Sequence, residues 1–116
     1  MLIHICKSKI AYPTITQTEL FYEGSITVDE NLLKAADLIP GEKVDVLNMN
    51  NGTRIETYVI AGKAGGGEIC LNGAAARCGC VGDKIILVSY ALAEKQEALE
   101  YKMKLVKVDE SNKIKN

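Results

Sequence analysis

The stretch Pro40-Gly41-Glu42-Lys43-Val44-Asp45-Val46-Leu47 recurs 41 residues later as Val81-Gly82-Asp83-Lys84-Ile85-Ile86-Leu87-Val88. In each copy, an alanine-rich segment leads through a glycine turn into an apolar strand. Two similar halves in a chain of short strands favour a closed β-barrel with pseudo-twofold symmetry, because closure removes exposed sheet edges. The alternative is that glycine, an acidic residue and lysine simply form a common entry into a strand.

The rest of the sequence also has the pattern of short strands separated by turn residues. Thr27-x-x-Glu30 has the form of a capping box, and Asp29 is an alternative N-cap, for a short helix through residues 32–36. Pro40-Gly41 ends this helix, and Asn51-Gly52 predicts a tight turn. We predict strands over residues 3–10, 14–18, 25–28, 43–48, 54–61, 68–71, 84–90 and 102–108.

Length and composition indicate one domain over residues 1–116, with a flexible tail over residues 110–116 because that end is polar. Apolar residues make up 47% of the chain and charged residues 25%, which are ordinary globular values. A net charge of −1 gives no reason to expect nucleic acid as a partner, and the apolar runs are far shorter than a membrane span. The first residues lack the pattern of a signal peptide, so we expect a cytoplasmic protein.

The cysteines do not have the spacing of a metal site. Cys78 and Cys80 form one Cys-x-Cys pair, whereas Cys6, Cys70 and the single histidine, His4, lie far from it in the sequence. Structural zinc requires four ligands from spaced pairs. We therefore expect no metal cofactor, and reduced, mostly buried thiols.

The Gly24-Ser25 pair could be an ordinary turn that leads into a strand. A serine hydroxyl can, however, attack the carbonyl group of the residue before it, and glycine lowers the steric cost of that attack. Strand propensity and a small-residue turn would explain the residues that accompany this pair just as simply. These residues are Lys9, then Arg54, Thr57 and Tyr58 on one predicted strand, and the loop Asn72-Gly73-Ala74-Ala75-Ala76.

In this order and spacing, the motifs resemble those of the aspartate 1-decarboxylases, a family of pyruvoyl-dependent enzymes, over about residues 9–90. The resemblance implies a mainly β fold, a six-stranded double-psi β-barrel with short helices. It implies a carboxy-lyase that decarboxylates L-aspartate to β-alanine and CO2 for pantothenate and coenzyme A biosynthesis. It also implies a homotetramer with sites at subunit interfaces, and it leaves open whether a maturation factor takes part.

The resemblance further implies that the cofactor is made from the chain itself. Autocatalytic cleavage between Gly24 and Ser25 would give a β chain of residues 1–24 and an α chain of residues 25–116. The new N-terminus would carry a pyruvoyl group derived from Ser25. That group would form a Schiff base with the substrate amine and act as an electron sink.

The substrate has two carboxylates, of which one must be held and one must be lost. The planar guanidinium of Arg54 suits bidentate binding of the retained carboxylate, and Lys9 would add charge. In the family, His-Arg follows the position of Ile10, whereas this chain has Ala11-Tyr12. Whatever that basic pair contributes is absent here or supplied from elsewhere.

The other roles are implied by the resemblance. Thr57 would hydrogen-bond the oxyanion at Gly24 during cleavage and contact the substrate, and Tyr58 would donate a proton to the carbanion. Because adjacent residues on a strand face opposite ways, both can serve one site only at a rim or between subunits. Tyr22 would border the site. The expected contacts to the pyruvoyl group or the substrate are Asn72, Gly73, Ala74 and Ala75.

Two other functions compete with this interpretation. One is a non-enzymatic barrel of the double-psi or swapped-hairpin type that acts as a binding module, but such modules usually show clustered basic residues. The other is a degenerate relative that stays uncleaved and has a structural role. The replacement of the basic pair by Ala11-Tyr12 keeps this last possibility open.

Overall fold

The computed structural model describes residues 1–115 as a mainly β chain with short helices. The longest strands are β1 and β7, with 13 and 11 residues. The strands are β1 (Leu2–Thr14), β2 (Gln17–Glu19), β3 (Ser25–Asp29), β4 (Lys43–Asn48), β5 (Arg54–Gly62), β6 (Ile69–Asn72), β7 (Lys84–Glu94) and β8 (Lys104–Lys107). The helices are α1 (Glu30–Ala35), a 3₁₀ helix (Gly73–Cys78) and α2 (Lys95–Glu100).

All eight strands belong to one mixed sheet with the order β2-β6-β3-β5-β4-β7-β1-β8. The strands at the two ends are short, with three residues in β2 and four in β8. Six consecutive strands lie between them, which matches the expected number of barrel strands. The mainly β class with short helices is confirmed, and closure as a double-psi barrel stays a prediction.

The sequence repeat corresponds to a repeated pattern of hydrogen bonds. The N–H of Gly41 donates to the carbonyl of Val59, and the N–H of Val59 donates back to the residue after Gly41, at 2.8 and 3.1 Å. In the second repeat, the N–H of Gly82 donates to the carbonyl of Ile15 at 2.8 Å, and the N–H of Ile15 donates to the carbonyl of the residue after Gly82 at 2.9 Å. Both glycines have positive φ, 89° and 97°, a conformation that other residues rarely adopt. The two turns are therefore equivalent in structure as well as in sequence.

The first strand of each repeat pairs with its counterpart. Val46 and Leu87 have the same position in the two repeats and lie directly opposite each other where β4 and β7 run antiparallel. A twofold rotation about this pair interchanges the pairs on either side of it, Leu47–Ile86 and Asp45–Val88. The pairing of β4 with β7 therefore supports the predicted pseudo-twofold relation between the halves.

Alternating side chains of these strands form the core. On β4, Val44, Val46 and Asn48 are buried and Asp45 and Leu47 are partly exposed, as expected for a strand with one face inward. β6 is buried at every position. The gap predicted between the strands over residues 3–10 and 14–18 is instead an irregularity within β1, which contains Pro13, because the pairing with β7 shifts register between Ala11 and Thr14.

Asp29 joins three parts of the chain. Its carboxylate accepts a hydrogen bond from the N–H of Asn31 and so caps α1, as the alternative N-cap prediction stated. It also accepts hydrogen bonds from the N–H groups of Gly65 and Gly67, at 3.0 and 2.8 Å. Burial raises the pKa of Asp29, but these backbone hydrogen bonds outweigh it and leave the pKa lowered.

Within the predicted tail, the structure describes residues 110–115, of which Asn112 is buried against the rest of the chain. The side chain of Asn112 is buried and donates hydrogen bonds to the carbonyls of Thr14 and Gly67, at 2.9 and 2.8 Å. Its amide oxygen accepts a hydrogen bond from the N–H of Thr14 at 2.8 Å. Polarity alone could not reveal that one asparagine of this segment is an internal hydrogen-bonding group. Asn116, the last residue of the predicted tail, lies outside the described residues.

Replacing Asp29 by Asn tests its contribution to stability. We expect the variant to lose about 2 kcal/mol of unfolding free energy at neutral pH, because the amide has one acceptor oxygen for the three N–H groups. The folded pKa is lowered, so the contribution of the carboxylate is present above the unfolded pKa of about 3.9 and is lost as the pH falls through the folded value.

Urea denaturation between pH 7 and pH 3 measures this difference. The gap in unfolding free energy between Asp29→Asn and wild type should narrow as the pH falls below the unfolded pKa of about 3.9. Glu30→Gln is the control, because Glu30 is more exposed and pairs with Lys34 at the helix surface, so its loss should cost less than about 0.5 kcal/mol. A gap for Asp29→Asn that does not change with pH would contradict the assignment.

Candidate active site

The candidate site begins where the chain enters β3. Ser25 is the first residue of β3, is fully buried, and pairs with Asn72, the last residue of β6. The loop before it is exposed: Phe21 and Tyr22 have relative exposures of 98% and 60%. The Gly24-Ser25 bond therefore joins a surface loop to a buried strand.

Hydrogen bonds hold the Ser25 hydroxyl on two sides. Ser25 Oγ donates to the carbonyl of Glu23 at 3.2 Å and accepts from Asn72 Nδ2 at 3.0 Å. Within residues 1–115, these hydrogen bonds join Ser25 to an amide and a carbonyl and not to a titratable side chain. Among the described residues, the hydroxyl is therefore oriented by hydrogen bonds to neutral groups.

The Asn72 side chain is itself held by two residues, Thr27 and Cys70, which were not predicted as site residues. Asn72 precedes the 3₁₀ helix, but its side chain makes no capping hydrogen bond. Its Nδ2 donates to Thr27 Oγ1 at 2.9 Å, and Cys70 Sγ donates to its Oδ1 at 3.2 Å. Both residues lie two positions from a predicted site residue, so alternation along the strands could have indicated them.

Gly73 explains why the loop before Ser25 can approach the 3₁₀ helix so closely. Its φ is 67°, and a Cβ atom at this position would lie 2.7 Å from the carbonyl oxygen of Tyr22. The same atom would lie 2.8 Å from both the nitrogen and the Cα of Gly24. A side chain at position 73 would therefore push away the backbone that contains the predicted cleavage point.

A cavity of about 430 Å³ opens beside this backbone. Thr57 and Tyr58 both line it, although they are adjacent residues of β5, and Gly24 lines it as well. The structure therefore brings the predicted cleavage point together with both predicted β5 residues in one chain. The remaining lining residues are Ile55, Glu56, Ala74, Ala75 and Cys78, which include two more of the predicted contacts.

Arg54 does not line this cavity, although it is also a residue of β5. Its Nη1 donates to Asp45 Oδ2 at 3.0 Å and to the hydroxyl of Tyr90 at 3.4 Å. The hydrogen bonds to Tyr90 and Asp45 raise the pKa of the guanidinium above its already high value. In a single chain, the charge of Arg54 is thus partly compensated by Asp45.

Lys9 is also separate from the cavity within the described chain. It lies in the middle of β1, half-buried, and pairs with Val88 of β7 and Leu105 of β8. In the order of the sheet, three strands separate β1 from β3, which carries Ser25. One chain therefore does not unite all the predicted site residues.

Ala11-Tyr12, the segment that departs from the family pattern, does not line the cavity beside Gly24. Ala11 is buried on β1, and Tyr12 is half exposed. Tyr12 lines a surface cavity of about 580 Å³ with Met49 and Lys84. This cavity is larger than the one beside Gly24, but it contains none of the predicted site residues among those described.

Two further observations concern cofactors and membranes. Among residues 1–115, no three His, Cys, Asp or Glu side chains lie close enough together to hold a metal ion. Burial raises the pKa of the Cys70 thiol, and Glu68 and Glu19 raise it further. Over the same residues, none of the helices combines the length and the apolar character that crossing a membrane requires.

Comparison with known proteins identifies the family of the chain. The family profile described as aspartate decarboxylase matches residues 1–115. The aspartate 1-decarboxylase of Dehalococcoides mccartyi is 56% identical over 108 residues, which cover 93% of this chain and 87% of the relative. That of Thermoanaerobacter pseudethanolicus is 54% identical over 110 residues, 95% of this chain and 94% of the relative. That of Clostridium acetobutylicum is 51% identical over 116 residues, 100% of this chain and 91% of the relative. The chain belongs to the aspartate decarboxylase family.

Proposed function

We propose that this chain decarboxylates L-aspartate to β-alanine and CO2 after cutting itself between Gly24 and Ser25. The observation that carries the proposal is the placement of Ser25: a buried hydroxyl held by Asn72 and by the carbonyl of Glu23, beside a cavity that Gly24 and Thr57 line. β-Alanine would serve pantothenate and coenzyme A biosynthesis. The reaction is assigned to the cytoplasm.

Self-cleavage uses the chain's own atoms. Ser25 Oγ attacks the carbonyl carbon of Gly24, the C–N bond breaks, and an ester replaces the amide. Thr57 hydrogen-bonds the oxyanion that forms during this attack. Elimination of the ester releases the carboxylate of Gly24 and leaves dehydroalanine at position 25. One water then hydrolyses its imine form, ammonia leaves, and a ketone remains at the new N-terminus.

The residues around Ser25 fit the group that would result. A pyruvoyl group derived from Ser25 supplies a ketone that withdraws electrons from a bound amino acid. Asn72 would hold it through the amide that already contacts Ser25 Oγ. Ala74 and Ala75 line the cavity with side chains of one carbon each and so leave room for a ligand. Gly73 would contribute by letting the backbone of Gly24 lie close to the 3₁₀ helix. Tyr22 would border the same space.

Substrate binding requires charged groups that one chain does not bring to the cavity. Arg54 would hold the carboxylate that is retained, and Lys9 would add positive charge. Tyr58 would donate the proton to the carbon that loses CO2. We propose a homotetramer in which neighbouring chains complete each site, since Arg54 and Lys9 lie outside the cavity beside Gly24 in one chain. A maturation factor could assist cleavage without changing these roles.

Replacing Ser25 by Ala tests the cleavage chemistry. Alanine has no nucleophile for the acyl shift and no oxygen to eliminate, so we expect one intact chain without decarboxylase activity. Intact-mass spectrometry of wild type should instead show residues 1–24 and residues 25–116 as separate chains. Ser25→Cys is the matched control, because a thiol can make the same shift, and it should be cut at least in part. Decarboxylation of L-aspartate by the intact Ser25→Ala chain would overturn the proposal.

Replacing Arg54 by Ala separates substrate binding from cleavage. We expect normal cleavage and a fall in kcat/KM for L-aspartate of roughly 30-fold or more, because a charged contact to the substrate is lost. The control is Arg77→Ala, which removes the other arginine of the sequence, an exposed residue of the 3₁₀ helix. An uncleaved Arg54→Ala chain would show that the two roles are not separate.

A further inference from the structure

We infer that Thr27 is a positioning residue for self-cleavage: its hydroxyl fixes the Asn72 amide so that this amide donates to Ser25 Oγ. The inference rests on the proposed function, because it assigns Thr27 a part in cutting the Gly24-Ser25 bond. Thr27 does not line the cavity with Gly24 and Thr57, so its effect passes through Asn72.

The register of two strands brings the four side chains together. β3 and β6 run antiparallel, with Ser25 opposite Asn72 and Thr27 opposite Cys70. Residues two apart on a strand lie on the same face, so these side chains form two adjacent cross-strand pairs. Asn72 Nδ2 has two hydrogens, and two acceptors lie near it, Ser25 Oγ at 3.0 Å and Thr27 Oγ1 at 2.9 Å. Both N–H groups of the Asn72 amide therefore donate a hydrogen bond.

The reversed orientation of the Asn72 amide would make weaker hydrogen bonds with its neighbours. Its oxygen would face the two hydroxyls, although Ser25 Oγ already donates its hydrogen to the carbonyl of Glu23. Its NH2 group would face Cys70 Sγ, and sulfur is a weak acceptor. In the observed orientation, the Cys70 thiol donates to Asn72 Oδ1 at 3.2 Å. Cys70 and the commitment of the Ser25 hydrogen to Glu23 therefore determine which end of the amide meets Ser25, and Thr27 Oγ1 holds that end in place.

This orientation matters for the attack on Gly24. A hydroxyl oxygen has one hydrogen and two lone pairs. In the structure, Glu23 accepts the hydrogen of Ser25 and Asn72 donates to one lone pair, which leaves the second lone pair for the carbonyl carbon of Gly24. If Thr27 no longer held the amide, Asn72 could turn away and the rotamer of Ser25 would lose this constraint. Small errors in the alignment of reacting groups lower rates strongly.

Thr27→Val tests the inference, because valine keeps the branched shape and removes the acceptor. The chain is made by cell-free translation, and the fraction that is cut is followed by intact-mass spectrometry. We expect cleavage of Thr27→Val to be slower by about tenfold or more, which corresponds to about 1.4 kcal/mol or more. Thr27→Ser keeps the hydroxyl and should cut within about twofold of the wild-type rate.

Thr16→Val is the matched control. The hydroxyl of Thr16 also bonds to β6, at both the carbonyl and the N–H of Ile69, but it does not contact Asn72. The Thr16→Val substitution should lower the melting temperature and leave the cleavage rate unchanged. Wild-type cleavage of Thr27→Val, or failure of Thr27→Ser to restore the rate, would overturn the inference. A wild-type chain that stays intact both in this reaction and after expression in bacterial cells would instead overturn the proposed function, and the inference with it.

A second pair of variants covers the case in which Thr27→Val does not fold. Cys70→Ala removes the thiol that donates to Asn72 Oδ1, whereas Cys70→Ser keeps a donor. The inference predicts slower cleavage for Cys70→Ala than for Cys70→Ser, at equal far-ultraviolet circular dichroism. Equal cleavage rates in these two variants would overturn it.

Discussion

The antiparallel register of β3 against β6 is the constraint on which the candidate site depends. It sets Ser25 opposite Asn72, and it buries both side chains. A shift of one residue would turn Ser25 and Thr27 to the other face of the sheet and separate them from the Asn72 amide. The chain secures this register on the other edge of β3, where Ile26 to Asp29 pair in parallel with β5. The strand that carries Ser25 is thus held between the two strands that supply the other residues of the site.

The Gly41 turn, one of the two glycine turns of the repeat, explains how β5 reaches this position. Gly41 and its neighbour hold Val59 of β5, and Val59 pairs with Ile26 of β3. The same segment of β5 carries Thr57 and Tyr58, which line the cavity. A turn that was recognised as part of a sequence repeat therefore determines where two of the proposed site residues lie. Stability and function depend here on the same backbone hydrogen bonds.

Much of this arrangement could be predicted from sequence because the deciding signals are local. Glycines at the turns and alternating apolar residues indicated the mainly β class, and the resemblance to the aspartate 1-decarboxylases, carried by short motifs, implied the residues around the cavity. The rest depends on pairing between distant strands. Thr27 and Cys70 are inconspicuous until the register sets them beside Asn72. The partnership of Arg54 with Asp45 needs the β4–β5 pairing, and the burial of Asn112 needs the fold as a whole.

We propose that residue 25 becomes the group that binds the substrate amine. Reduction with borohydride in the presence of isotopically labelled L-aspartate, followed by peptide mapping, locates the amine-binding residue. We expect the label to be attached covalently to the residue derived from Ser25, at the N-terminus of the chain that begins there. Attachment to a lysine, with Lys9 the first to examine, would rule out this role for residue 25.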